Sequence, residues 1–399
     1  MSMMLSNSLY GSVPYSPPQW MLSSPLIACP AVPSHRIQLG RLPTPIHAFQ
    51  QALDDTSSTS VKVNLFIKRD DLTSFDLSGN KVRKLEFLLS EALQQKCDCV
   101  ITIGGIQSNH ARSTAVAARQ LGLDPFLILR TRGDPSQDPG LAGNLLLDRL
   151  VGAKIYQVSA GTYAQLGQRQ LLETLRQQLV KEGRRPYVIP VGGSSTLGAW
   201  GYLDAIEEMG EQVDALKLPP FDHLVFACGS GGTASGLAIG SRLSGMKWRV
   251  HAVGVCDSPD YFYAHILETA EALGVDLQAA GHPRSWCTIH DGKGKGYAVS
   301  TPEELAFIAS VSWRTGILLD PVYSGKALFT LQRLLQDPEA AARAGFKTGV
   351  NVLFLHTGGV FGLFDKASEL QEIITGSNGF ASLPFLPVEK LNITSPRHL

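Results

Sequence analysis

The sequence predicts an α/β protein built on doubly wound, mainly parallel open sheets, and three observations carry that expectation. Short β-branched apolar runs alternate with amphipathic helical stretches from about residue 60 onward. Several of those runs end in a glycine-bearing loop that opens the next helix, the arrangement in which open α/β sheets bind ligands at their carboxyl ends. Glycine also makes up 39 of the 399 residues, above the usual share of roughly 7%.

Taken in order, the first 34 residues carry no charged side chain, and Pro14, Pro17, Pro18, Pro25, Pro30 and Pro33 interrupt them. Proline at that density is incompatible with a spanning helix. The lack of an early basic residue fits neither a secretory signal nor an arginine-rich transit peptide, so residues 1–40 are expected to form an arm, with targeting left open. Strands are expected at 63–68, 99–104, 125–130, 154–159, 187–192, 223–228, 250–255 and 351–356. Val82, Leu85, Leu88, Leu89 and Ala92 repeat at helical spacing and predict a helix from Val82 to Gln95. The polar stretch 131–140 reads as a surface turn and LKLPPFD (216–222) as a linker between lobes.

Charge and cysteine content narrow the function. Lys+Arg and Asp+Glu balance at 35 each, so the chain lacks the basic field that binding to a phosphate backbone requires. Nucleic acid and membrane are not expected partners. Cys29, Cys97, Cys99, Cys228, Cys256 and Cys287 form neither CxxC pairs nor a dense disulfide framework. Buried thiols in a reducing, intracellular compartment, cytoplasmic or mitochondrial, are the expectation, and no His/Asp/Glu cluster has metal spacing.

Four strings carry candidate chemistry. HLVFACGSGGTASG places Gly229, Ser230, Gly231, Gly232 and Thr233 between a strand and a helix. Bare backbone amides at a helix start cradle a phosphate; the string lacks the ending of a Walker A loop and the GxGxxG spacing, which leaves a single phosphate or a plain tight turn. In DLSGNKVRKLEFLL, Ser78 reads as the cap of a helix whose first turn holds Lys81. The positive helix end, with Arg83 and Lys84 near, would lower the amine's proton affinity as a Schiff-base lysine requires. Lys326 also follows a glycine-containing turn, and spacing alone does not choose between the two. IGGIQSNHARST offers Ser108 and Asn109 as a carboxylate-sized anion site, with His110 lining the cleft or simply structural. Tyr297, Tyr323, Ser324 and Thr357 lie in further loops, the tyrosines as possible acids or bases or as core residues.

Taken together, SGNKVRKLEFLL, ITIGGIQSNH, ACGSGGTASG, DPVYSGKA and HTGG, in this order and at these separations, resemble the D-cysteine desulfhydrase and 1-aminocyclopropane-1-carboxylate deaminase family, with the plant-type members most similar. The resemblance runs from about Leu42 to about Asp365. It implies the pyridoxal-phosphate fold type II of the tryptophan synthase β-subunit, with a large cofactor-binding domain (41–88 and 206–399), a small domain (89–205) and a homodimer. It implies pyridoxal 5'-phosphate on Lys81, its ring hydroxyl on Asn109, its phosphate on the loop from Gly229 to Thr233, and Ser324 facing the pyridine nitrogen, with Thr357 beside it. Ser108, Asn109 and His110 would receive an amino-acid substrate, and Lys81, Ser108, Tyr297 and Tyr323 would carry the chemistry. The cyclopropane-opening members have Glu and Leu where this chain has Ser324 and Thr357. A carboxylate at the ring nitrogen strengthens the electron sink more than a hydroxyl does. Loss of thiolate needs less of it than ring opening, so the implied reaction is elimination from D-cysteine to pyruvate, ammonia and hydrogen sulfide, with cyclopropane deamination as the alternative.

Overall fold

The computed structural model describes residues 10–28, 30–53 and 61–375, so Cys29 lies outside them. The strands are β1 (Ser12–Pro14), β2 (His35–Ile37), β3 (Ile46–Ala48), β4 (Asn64–Arg69), β5 (Cys99–Gly105), β6 (Asp124–Thr131), β7 (Lys154–Ser159), β8 (Pro186–Val188), β9 (His223–Cys228), β10 (Arg249–Gly254), β11 (Cys287–Asp291) and β12 (Asn351–His356). One sheet has the order β11-β10-β9-β12-β4-β3 and a second the order β7-β6-β5-β8. All of their pairings are parallel except β3 on β4. β9 is buried along its whole length, and β10 and β12 after their first residue, which is why these strands read as unbroken apolar runs.

The chain departs from expectation where the strand signal is short or broken. The run 187–192 leaves the sheet after Val188, because Pro190 lacks an amide to donate and Gly192 and Gly193 turn at φ +68° and +61°. β3 is three residues long, and β11 (CTIHD) interleaves polar side chains, so neither shows an apolar run. In the arm, β1 pairs antiparallel with β2, and Tyr15 and Trp20 donate to Asp204 and Glu207 on the helix Thr196–Ala215. No helix among the described residues is long and apolar enough to cross a membrane.

The helix Lys81–Gln94 is buried on nearly all sides, and a charge cluster fixes it. Arg83, 1% exposed, grips Asp70 through Nε and Nη2 at 2.9 and 2.8 Å, and Glu208 through Nη1 and Nη2 at 2.9 Å each. Lys68 pairs with Glu208, and Tyr202 donates to Asp70 at 2.7 Å. Two cations thus meet two carboxylates with bidentate geometry, which is what makes buried charge tolerable. Burial by itself pushes the Asp70 carboxyl up, but Arg83, Lys68 and the Tyr202 hydroxyl together outweigh it and hold the carboxyl below the ordinary carboxylate range. Replacing Arg83 by Leu leaves Asp70 and Glu208 in the interior with Lys68 as the cation between them; urea unfolding is expected to show a loss of about 3–5 kcal/mol, and a loss below about 1 kcal/mol would contradict this role.

Candidate active site

β9, β12 and β4 are neighbours in the larger sheet, and each releases a loop from its carboxyl end. β9 leads into Gly229–Gly231, β12 into Thr357–Gly359, and β4 through Asp70 into the turn that ends at Lys81. β5 of the second sheet runs into Gly105 and the start of the helix Asn109–Gln120. Side chains from all four segments line one cavity, including Lys81, Asn109, Ser230, Thr233 and Thr357. A second cavity shares Lys81, Gly229, Ser230 and Tyr323 with the first and adds Ser108, His110, Arg130 and Tyr297.

Lys81 is the first residue of its helix, but Ser78 does not cap it. Ser78 stands at φ +28° and its hydroxyl donates to Asp71 O at 3.3 Å, while Asn80 occupies the cap position without a side-chain cap bond. The Asn80 side chain instead donates to Thr233 Oγ1 at 3.0 Å, and its amide to Thr357 O at 3.1 Å. Burial pushes the Lys81 ammonium down to about 8. The sign follows from charge: an ammonium removed from water loses hydration that the neutral amine does not need.

At the glycine-loop end, the helix Gly232–Ser244 starts after Gly231 at φ +92°; Gly232 N donates to Ser194 Oγ at 3.1 Å, and a helix start of this kind, with a hydroxyl beside it, suits an anion. A Cβ at Gly232 would fall 2.6 Å from Ser194 Oγ and 2.9 Å from Lys84 Nζ. Only glycine keeps that concavity open between amides and an ammonium. Lys84, buried with Gly192 O as its partner at 3.2 Å, is held well below the ordinary lysine range by burial first and by Lys81 second. A bound phosphate would reverse that penalty, so the residues fit pyridoxal phosphate at this end.

At the opposite end, Ser108 caps its helix, accepting from Ala111 N at 3.1 Å. His110 Nε2 donates to Thr102 Oγ1 at 2.9 Å, because that hydroxyl spends its own proton on Ile189 O; burial holds the imidazole neutral. Asn109 Oδ1 accepts from Asn144 Nδ2 at 3.0 Å, and Asn144 Oδ1 accepts from Arg112 Nε at 3.1 Å. The guanidinium therefore orients both amides and leaves Asn109 Nδ2 free to donate to a cofactor ring hydroxyl. Tyr297 and Tyr323 meet hydroxyl to hydroxyl at 2.7 Å, and burial raises both phenols. Ser324 is wholly buried behind Tyr323, its hydroxyl donating to Asp320 Oδ1 at 2.7 Å and accepting from Asp320 N at 3.0 Å.

Sequence reasoning missed Ser194, Arg112, Asn144 and Asp320, and named Lys84 only as a neighbour. Lys84 is one helical turn from Lys81. Arg112 stands one helical turn beyond the Ser108–Asn109 pair, and Asp320 ends an apolar run before proline; those were usable signals. Nothing local marks Asn144, which acts through a contact 35 positions away.

The chain is similar to known proteins over most of its length. A family model described as pyridoxal-phosphate dependent enzyme matches residues 37–358. The bifunctional D-cysteine desulfhydrase/1-aminocyclopropane-1-carboxylate deaminase, mitochondrial, of Arabidopsis thaliana is 48% identical over 368 residues, covering 90% of this chain and 86% of that one. A D-cysteine desulfhydrase of Klebsiella pneumoniae is 35% identical, covering 82% and 95% respectively. The crystal structure of an ACC deaminase homologue superposes with a TM-score of 0.71 at 34% identity, covering 84% of this chain and 95% of that chain.

The lowered Lys81 amine has a measurable consequence, since only the neutral amine attacks an aldehyde. Stopped-flow attachment of pyridoxal phosphate to the apoprotein should accelerate with pH and level off above about 8. A rate still climbing toward the ordinary lysine value of roughly 10.4 would contradict it.

Proposed function

The chain belongs to the pyridoxal-phosphate-dependent enzymes, in the D-cysteine desulfhydrase and 1-aminocyclopropane-1-carboxylate deaminase family, and on that premise we propose that it eliminates sulfide from D-cysteine. The observation that carries this reading is an amine lowered to about 8 between a phosphate-sized cradle and a hydrogen-bonded pair of tyrosines. Lys81, Tyr297 and Tyr323 all line one cavity.

In this reading Lys81 would hold the cofactor through Nζ, Asn109 would bond its ring hydroxyl, and Lys84 with the loop from Gly229 to Thr233 would hold its phosphate. The cofactor supplies an electron sink that lets an α-proton leave an amino acid. Ser108 and the amides that follow it receive the substrate carboxylate at the helix start. The Lys81 amine takes the α-proton, for which an amine near neutrality is suited. As the bond between β-carbon and sulfur breaks, the sulfur keeps the electron pair and accepts a proton from the tyrosine pair. In a pair of hydroxyls one donates to the other, and the second keeps its proton available to the cavity. The released enamine hydrolyses in water to pyruvate and ammonia.

Ser324 and Thr357 favour D-cysteine over the cyclopropane acid, because the Ser324 hydroxyl has its proton committed to Asp320 and offers no full negative charge to a ring nitrogen. Cyclopropane deamination is the second reading, supported by the two activities in the name of the Arabidopsis relative. The six-stranded and four-stranded sheets support reading the chain as a large and a small domain. Leu72, Phe75, Leu318 and Phe364, exposed around one surface depression, support a homodimer.

Parallel assays of the purified holoenzyme decide between the two reactions. Sulfide from D-cysteine is expected to exceed 2-oxobutanoate from the cyclopropane acid, and Lys81→Ala to abolish both along with the visible absorption of bound cofactor. Dominant 2-oxobutanoate would transfer the assignment to the second reading, and sulfide release by Lys81→Ala would end both.

A further inference from the structure

Lys326 is 1% exposed, yet it lies on no cavity wall described above. It sits in the first turn of the helix Ser324–Gln336, three positions after Tyr323. Its ammonium points into the loop 292–300 and donates to Lys293 O at 2.7 Å, Val299 O at 2.9 Å and Gly296 O at 3.4 Å. Glu304 Oε1, 3.5 Å away, balances the charge, while Oε2 of the same carboxylate accepts from Thr301 N at 2.9 Å. Three ammonium hydrogens thus find three carbonyls of one loop.

The loop needs such a centre. Gly294, Ala298 and Gly296 stand at φ +58°, +56° and +135°, and Ala298 carries a Cβ in a left-handed conformation that only surrounding contacts sustain. Its own backbone bonds are isolated turns, Gly296 N to Lys293 O and Val299 N to Gly296 O, both 3.2 Å. Tyr297 lies between two of the carbonyls that Lys326 holds, and Tyr323 begins the helix that carries Lys326. Lys326 therefore ties together the two segments whose phenols meet at 2.7 Å, with a further bond between them from the Ser300 hydroxyl to Pro321 O at 3.1 Å.

We propose that Lys326 is a positioning residue, one that holds loop 292–300 against its own helix and so sets the Tyr297–Tyr323 pair. The proposal deepens the elimination reading, on which the role of the tyrosines rests. It also assigns Lys326 a task different from that of Lys81, the lysine from which spacing alone did not separate it.

The test uses Lys326→Met and Lys326→Gln holoenzymes, each with and without Tyr297→Phe. Visible absorption reports cofactor loading, kcat and KM for D-cysteine report catalysis, and trypsin cleavage after Lys293 and Lys295 reports how firmly the loop is held. The expected result is retained absorption, kcat lowered about tenfold or more with KM changed far less, and faster cleavage within the loop. The double variant should be no slower than Tyr297→Phe alone, because both changes remove the same interaction. The proposal is overturned if kcat stays within about twofold of wild type or the two losses multiply, and equally if loop cleavage is no faster. It is also overturned if neither variant holds the cofactor, which would make Lys326 a support of the whole fold. Absence of sulfide from the wild type would instead defeat the D-cysteine reading, with loop cleavage still judging the role of Lys326.

Discussion

The site depends on one close approach of two backbones. Gly79, at φ +100°, lies against the turn after β12, where a Cβ would come 2.6 Å from Thr357 O; a Cβ on Gly358 would come 2.6 Å from Gly79 Cα. No side chain fits at either position, and the left-handed conformation adds strain for any residue but glycine. The contact seats the lysine turn on the turn after β12, so that Lys81 begins its helix where three adjacent strands release their loops.

Two buried guanidiniums then make that placement rigid. Arg83 ties the lysine helix to Asp70 and Glu208, one from the end of β4 and the other from a packed helix. Arg112 reaches the lysine turn from the second sheet, donating to the carbonyls of Asp76, Leu77 and Ser78, and through Asn144 it orients Asn109. Burying an arginine is tolerable only when its donors find acceptors, so each of these residues holds several backbone segments in one arrangement. The same logic operates around Lys326, whose ammonium meets three carbonyls with Glu304 beside it.

Much of this was legible in the sequence. Buried parallel strands announce themselves as apolar runs, which is why the expected positions of β9 and β12 agree with the structure to the residue; β7, largely unburied at the sheet edge, agrees as well. The glycine excess has particular addresses, among them Gly79, Gly231, Gly232 and Gly358, each a point where backbone meets backbone or a packed side chain. What the sequence hid was long-range. Ser78 resembled a cap because serine before a helix usually is one, but its backbone is committed to the close turn against β12. Ser194 and Asn144 act across loops that composition cannot bring together, and the contrast between Lys81 and Lys326 is one of surroundings: the first faces a cavity, the second a ring of carbonyls.

Lys81, of the buried lysines at this site, is the one proposed to bond the cofactor. Borohydride reduction of the holoenzyme, followed by digestion and mass spectrometry of the pyridoxyl-labelled peptide, tests it directly. The label is expected on Lys81 alone; a label on Lys84 or Lys326 would contradict the account.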